Sequence, residues 1–194
     1  MLVRPVVQLV LLLVPACLGS GLIGIDLGNA NSVVATPRRG GVDVLVNEAS
    51  RRQTPSVVAF DERRRLLGEG AVSLLVSSPG KSASDLKIRF DASLQTAEAD
   101  GELTVSVQGK EQHFSATQLI AMFIHQLRLT ASRELGSPPS DCTIAVPLHF
   151  DAARRQAVLD AARIAGIRGA RLVSEVRPLP ANASTPREEV ARPL

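Results

Sequence analysis

The sequence predicts an α/β protein: a mixed sheet that opens as a three-stranded antiparallel meander, adds parallel strands and carries packed helices. Three observations predict it. Three short β-rich segments follow residue 21, joined by connections too short for parallel pairing. A long amphipathic helix follows a capping box at Ser115. An apolar strand, a capped helix and a second apolar strand then follow in βαβ order.

The elements read as follows. Residues 1–20 have the parts of a secretory signal: Arg4 as a short positive start, an apolar stretch from Val6 to Val14, then Pro15 and the small residues Ala16, Cys17, Gly19 and Ser20. That stretch is shorter than the roughly 20 residues a membrane span needs. The expected destination is the endoplasmic reticulum lumen or secretory pathway. The alternative is a cytoplasmic protein whose N-terminus is a buried element. No later stretch reads as a membrane span.

Leu22–Ile25 is apolar and delivers Asp26 to its end. Ser32–Thr36 is β-branched, and Val42–Val46 alternates. Gly28-Asn29-Ala30-Asn31 and Pro37-Arg38-Arg39-Gly40-Gly41 supply the turns between them. Asn47–Thr54 reads as a loop closed by Pro55. A strand at Ser56–Phe60, a turn at Asp61–Arg64 and a short helix over 69–78 come next. Residues 91–102 are polar and irregular. Leu103–Val107 alternates as a strand, turned back by Gln108-Gly109-Lys110.

Ser115 and Gln118 form a capping box, with Ile120, Phe123, Ile124, Leu127, Ala131 and Leu135 on one helical face. Gly136 and Pro138-Pro139 end that helix. Cys142–Val146 is apolar but for Thr143, the pattern of a strand buried on both faces in a parallel sheet. Asp151 caps a helix over Ala152–Ala165 that Gly166 stops, and Ala170–Val173 is a further strand. Residues 177–194 are Pro-rich, polar and without periodicity, and read as a disordered tail. They carry a glycosylation sequon, Asn182-Ala183-Ser184. The domain reading is therefore 1–20 signal peptide, 21–176 folded region and 177–194 tail.

Composition bounds the function. Hydrophobic residues make up 45% of the 194, enough for a core. Aromatics are 3%, with neither Trp nor Tyr, which argues against nucleic-acid binding by base stacking. The net charge of +3 sits largely in short Arg runs that read as solvated loops, so no nucleic-acid partner is expected. Cys142, in an apolar run, reads as a small buried hydrophobe.

The informative motif is Gly24-Ile25-Asp26-Leu27-Gly28-Asn29-Ala30-Asn31-Ser32. A strand delivers an Asp and a glycine turn follows at once. Backbone N–H groups in such a turn can cradle phosphate oxygens, and the Asp can hold Mg²⁺ through water. An ordinary hairpin turn carrying an Asp has the same pattern, so the motif alone leaves both readings open.

The motif resembles the first phosphate loop of the heat shock protein 70 superfamily, whose ATPase domains have the actin-like (ribonuclease H-like) fold. The resemblance continues in order. Asn47-Glu48-Ala49-Ser50-Arg51-Arg52-Gln53-Thr54-Pro55-Ser56-Val57-Val58-Ala59-Phe60 is similar to the family's loop and Thr-Pro-Ser strand. Leu67-Gly68 and Asp85-Leu86-Lys87 are similar to its next turn and its lysine segment. Asp141-Cys142-Thr143-Ile144-Ala145-Val146-Pro147, Phe150 and Ala153-Arg154-Arg155-Gln156-Ala157 follow in register. Ser140-Asp141-Cys142 and Val158-Leu159-Asp160-Ala161-Ala162 are nearer the 110-type branch. The resemblance runs from about residue 22 to Glu175.

The resemblance implies ATP and Mg²⁺ as cofactors. It places Asp26 at the water shell of the metal and Gly28, Asn29 and Ala30 along the phosphates. Lys87 would steady the terminal phosphate and the attacking water, and Glu175 would lie near the metal. Pro147 and Arg155 would couple nucleotide state to a substrate domain. The implied partners are unfolded protein clients, co-chaperones or another chaperone of the family.

Asn29-Ala30-Asn31 stands where most relatives carry Thr-Thr-Tyr, so both threonine hydroxyls are lost and weaker phosphate contact or slower hydrolysis is expected. The family's second phosphate motif, adenosine pocket and substrate-binding domain would lie beyond residue 175. The expectation is therefore the first lobe of an ATP-binding chaperone of the 70/110 type, with a non-catalytic partner-binding lobe as the alternative. Such a lobe is expected to leave an apolar sheet edge and the apolar face of helix 115–135 without cover. A sugar kinase of the same superfamily is disfavoured by 47–60 and 141–157.

Overall fold

The computed structural model describes residues 21–87, 103–107 and 110–175. The leader, the 91–102 segment, the Gln108-Gly109 turn and the tail with Asn182 lie outside the described residues.

The expected meander opens the fold. β1 (Leu22–Asp26), β2 (Asn31–Arg38) and β3 (Gly41–Val44) pair antiparallel in sequence order. β4 (Thr54–Pro55) adds to β2. β5 (Val58–Phe60), β6 (Arg65–Leu67) and β7 (Ser82–Ala83) form a second, three-stranded sheet. Between β6 and β7 lies α1 (Glu69–Ser77), whose Ala71 packs on Val57 and Ala59. β8 (Leu103–Val107) and β9 (Lys110–Phe114) form a hairpin. Its Phe114 ring stacks on Phe60 with centroids 4.6 Å apart. α2 (Ala116–Leu135), β10 (Asp141–Val146), α3 (Ala152–Ile164) and β11 (Gly169–Ser174) complete the chain.

The main sheet has the order β11-β10-β1-β2-β3. β10 lies parallel to both β1 and β11. A strand's period of two sends Ile23 and Ile25 inward and leaves Leu22 and Asp26 exposed. Val34 of β2, and Cys142, Ile144 and Val146 of β10, line the same inner face. α2 and α3 pack on it and on each other. They add Leu119, Ile120, Phe123, Ile124, Leu127, Val158, Ala161 and Ala162 to one continuous core.

α2 begins as its sequence dictates. The Ser115 side chain accepts from the Gln118 amide at 3.3 Å, and the Gln118 side chain accepts from the Ser115 amide at 2.9 Å. It ends at Gly136, whose φ of +71° is the left-handed conformation that favours glycine. α3 starts at Asp151, which accepts from the Arg154 amide at 2.9 Å. That bond holds the Asp151 carboxyl below its ordinary value, with Arg154's charge adding to it.

Two expectations are corrected. β10 is not buried on both faces: Cys142, Ile144 and Val146 are buried while Asp141, Thr143 and Ala145 are half-buried. Among the described residues, both long helices lie on one side of the sheet, so the other side of β10 stays partly open. Nor is the apolar face of α2 uncovered, for Leu119, Ile120, Phe123, Ile124, Leu127 and Ala131 are all 0% exposed. At the β3 edge of the sheet, Val42 and Val44 are exposed.

Cys142 is fully buried, and burial pushes its thiol up to about 12, with the Asp141 charge adding to it. The thiol stays neutral through the physiological range and packs as a hydrophobe. The stability tied to this neutral form is present below the ordinary value of 9.0 and is lost as pH rises toward 12.

Candidate nucleotide site

β1, β10 and β11 run the same way, and their register aligns Asp26 with Ala145 and Ala145 with Val173. The chain therefore leaves all three strands at one edge: Asp26 into the glycine turn, Val146 into Pro147, and Ser174 into Glu175. In open α/β sheets, the crevice outside the carboxyl ends of parallel strands is where ligands bind. Asp26, Pro147 and Glu175 meet there because of sheet topology, despite their separation in sequence.

The glycine turn is held from inside. The Gly28 amide donates to Ser32 Oγ at 3.2 Å, and Ser56 Oγ donates to the Gly28 carbonyl at 2.8 Å. The Ser56 amide donates to the Ala30 carbonyl at 2.9 Å. A Cβ at position 28 would lie 2.1 Å from the Asn31 carbonyl oxygen, so only glycine fits this close approach. Asn29 and Ala30 are exposed, and among the described residues their amides make no hydrogen bond. Outward, free backbone amides at a rim are the chemistry an anion needs. An open cleft lined by Asn31, Arg51, Arg52, Gln53, Pro55 and Glu69 flanks the turn. Arg51 in that cleft is bound to Glu69 at 3.3 Å.

Lys87 and Glu175 are brought together across 88 residues of sequence. Lys87 Nζ donates to Glu175 Oε1 at 2.5 Å, with the lysine side chain 15% exposed. The Glu175 amide donates to the Val146 carbonyl at 2.8 Å, tying the end of β11 to the end of β10. Arg155 joins the same corner. Its Nε donates to the Phe150 carbonyl at 2.9 Å and its guanidinium to Ser174 Oγ at 3.0 Å. Pro147 is buried and its carbonyl accepts from the Phe150 amide at 3.2 Å. Lys87, Glu175, Arg155 and the Pro147–Phe150 turn thus form one connected corner, and the turn at Gly28 lies along the same edge.

Could Mg²⁺ be held here? No group of three or more His, Cys, Asp or Glu converges among the described residues. Asp26 is a single exposed carboxylate at the strand end. That donor set fits a hard cation kept in its water shell rather than one caged directly by protein.

The sequence reading missed Ser32 and Ser56. Both are 0% exposed. A signal was available for Ser32: it occupies an inward position of β2, in phase with Val34 and Thr36, and a polar group on a core face must find a partner. It also missed how the loop before β4 is anchored. Asn47 Oδ1 accepts from the Ala49 and Arg51 amides at 2.9 and 3.0 Å. Glu48 accepts from Arg133 of α2 at 2.7 Å and from Gln126 at 3.2 Å. The Arg133 bond holds the Glu48 carboxyl below its ordinary range.

Comparison with known proteins gives the family. A family model described as Hsp70 protein matches residues 22–179. The chain is 39% identical over 170 residues to a heat shock protein homolog of Saccharomyces cerevisiae, covering 79% of this chain and 24% of that protein. It is 34% identical over 171 residues to "Heat shock 70 kDa protein 16" of Arabidopsis thaliana, covering 79% of this chain and 22% of that protein. Similarity to "Heat shock protein hsp88" of Neurospora crassa is 34% over 170 residues, with 79% and 24% covered. The chain spans about a quarter of the length of these relatives. The chain belongs to the Hsp70 family.

Proposed function

We propose that this Hsp70-family chain supplies the phosphate-facing side of an ATP site in a chaperone of the 70/110 type. One observation carries the reading. A turn with outward amides and a strand-end carboxylate share the carboxyl edge of three parallel strands with a cationic corner built on Lys87. Asn29 and Ala30 offer backbone amides to phosphate oxygens, and Gly28 makes the turn that presents them. Asp26 receives Mg²⁺ through its water shell. The cation neutralises phosphate charge when bound.

Lys87 places a positive charge at the edge where a terminal phosphate would arrive, and Glu175 fixes its direction. The loss of side-chain hydroxyls at Asn29 and Ala30 supports slow turnover, and so favours a nucleotide-regulated partner over a fast ATPase. Pro147 and Arg155 support a coupling role. Arg155 bonds to both the Phe150 loop and the end of β11, so displacement of Glu175 would be felt there. Clients and co-chaperones are the partners this reading implies. Residues 1–20 support entry into the secretory pathway, which loss of that segment in secreting cells would confirm by mass.

Calorimetry of the 194-residue chain with Mg–ATP, Mg–GTP and Mg–pyrophosphate tests the site. Millimolar affinity, alike for all three, is expected from phosphate contacts alone. Micromolar or adenine-selective binding overturns the phosphate-only site. No binding of any of them moves the reading to a partner-binding lobe without nucleotide.

A further inference from the structure

The two buried serines beneath the phosphate turn are given no role by the family resemblance. Their hydrogens can be placed by counting. A serine hydroxyl has one proton to give. Ser56 gives its proton to the Gly28 carbonyl, 2.8 Å away. The proton between the two serine oxygens, themselves 2.8 Å apart, therefore belongs to Ser32. The Ser32 oxygen accepts in turn from the Gly28 amide at 3.2 Å. The circuit closes on the residue where it began: Gly28 N–H to Ser32, Ser32 O–H to Ser56, Ser56 O–H to Gly28 C=O. Each hydroxyl gives once and accepts once, in a single direction.

The ring has a geometric consequence. No peptide bond among the described residues is cis. In a trans peptide the carbonyl and the following N–H share a plane and point in opposite directions. The Gly28 carbonyl is drawn inward to Ser56, so the Asn29 amide must face the other way, on the exposed side of the turn. The Ala30 carbonyl is drawn inward by the Ser56 amide, which turns the Asn31 amide away from Ser56 in the same manner. Both serines are 0% exposed and are braced by the pairing of Ser32 with Thr54 and of Asn31 with Pro55. Buried hydrogen bonds of this kind polarise one another and strengthen the circuit.

We propose that Ser32 and Ser56 are positioning residues that set the direction of the Asn29 amide, one of the two anion-binding amides, through this closed ring. The proposal rests on the phosphate-turn reading above. It makes a prediction the turn alone does not: the two hydroxyls act as one unit, so losing either opens the ring.

Nuclear magnetic resonance of the 194-residue chain tests it without substitution first. Both serine hydroxyl protons are expected to exchange slowly enough to be observed, with the Gly28 amide protected. Hydroxyls in fast exchange with water overturn the ring. Ser32→Ala, Ser56→Ala and the double variant come second. Either single variant is expected to raise Gly28 amide exchange about tenfold or more while α2 core amides stay unchanged. Mg–pyrophosphate affinity is expected to fall about tenfold in each, and the double variant to lose no more than the worse single. Additive losses, or unchanged exchange at Gly28, overturn the proposal. If the unmodified chain does not bind pyrophosphate, the phosphate reading fails while the exchange data still decide the ring.

Discussion

Midway along β1 and β10 the sheet is dry; at its carboxyl edge β1 turns polar at once, and polar side chains gather beyond the ends of its neighbours. Ile25 and Ile144 are 2% and 0% exposed. Asp26, next in β1, is exposed, and Lys87, Glu175 and Arg155 gather beyond the ends of β10 and β11. The middle is held by apolar area, which is non-directional and tolerates small shifts. The edge is held by hydroxyls, one ion pair and one glycine, which are directional and tolerate almost none. The strands thus separate stability from chemistry over a few ångströms, and a substitution should disturb one or the other.

The largest effect is expected in the middle. Phe123 is fully buried between the helices and the sheet. Phe123→Ala is expected to lower unfolding free energy by about 3–5 kcal/mol, read by denaturant titration. A loss under about 1 kcal/mol would mean that this core does not carry the fold.

An intermediate effect is expected at the edge. Gly28→Ala puts a methyl against the Asn31 carbonyl, where a Cβ would sit at 2.1 Å. A stability cost of about 1–3 kcal/mol is expected, together with loss of pyrophosphate binding. Retained binding would show that the turn's close approach is not what presents the amides.

The smallest effect is expected away from both. Glu48, bound by Arg133 and Gln126, is depressed in the folded chain, with 57% of its side chain exposed. Its contribution is present above the ordinary value of 4.5 and is lost as pH falls below it. Solvent screening keeps that contribution under about 1 kcal/mol. Glu48→Gln should therefore flatten the acid side of the stability profile slightly and leave pyrophosphate affinity unchanged.

The division also explains what could be read from the sequence. The meander, the capped helices and the βαβ order were legible because each depends on local periodicity, turn chemistry or a capping box. Both faces of β10 looked alike because Thr143 and Ala145 are as compatible with burial as Cys142 and Ile144, and only packing reveals which side the helices cover. The glycine turn at Gly28 was legible as a motif. Its support was not, because Ser32 and Ser56 lie 24 residues apart and meet only when β4 pairs with β2. Lys87 and Glu175 were named by resemblance alone; that they pair is a fact of the tertiary fold.

The proposed phosphate-binding edge is the carboxyl edge of β1, β10 and β11. Amide chemical-shift mapping of the 194-residue chain during titration with Mg–pyrophosphate tests it most directly. Shifts are expected to be confined to residues 26–32, Lys87 and Glu175, with Ile25, Phe123 and Ile144 unmoved. Shifts clustered on α1 or β3 with a silent Gly28–Asn31 turn would contradict it.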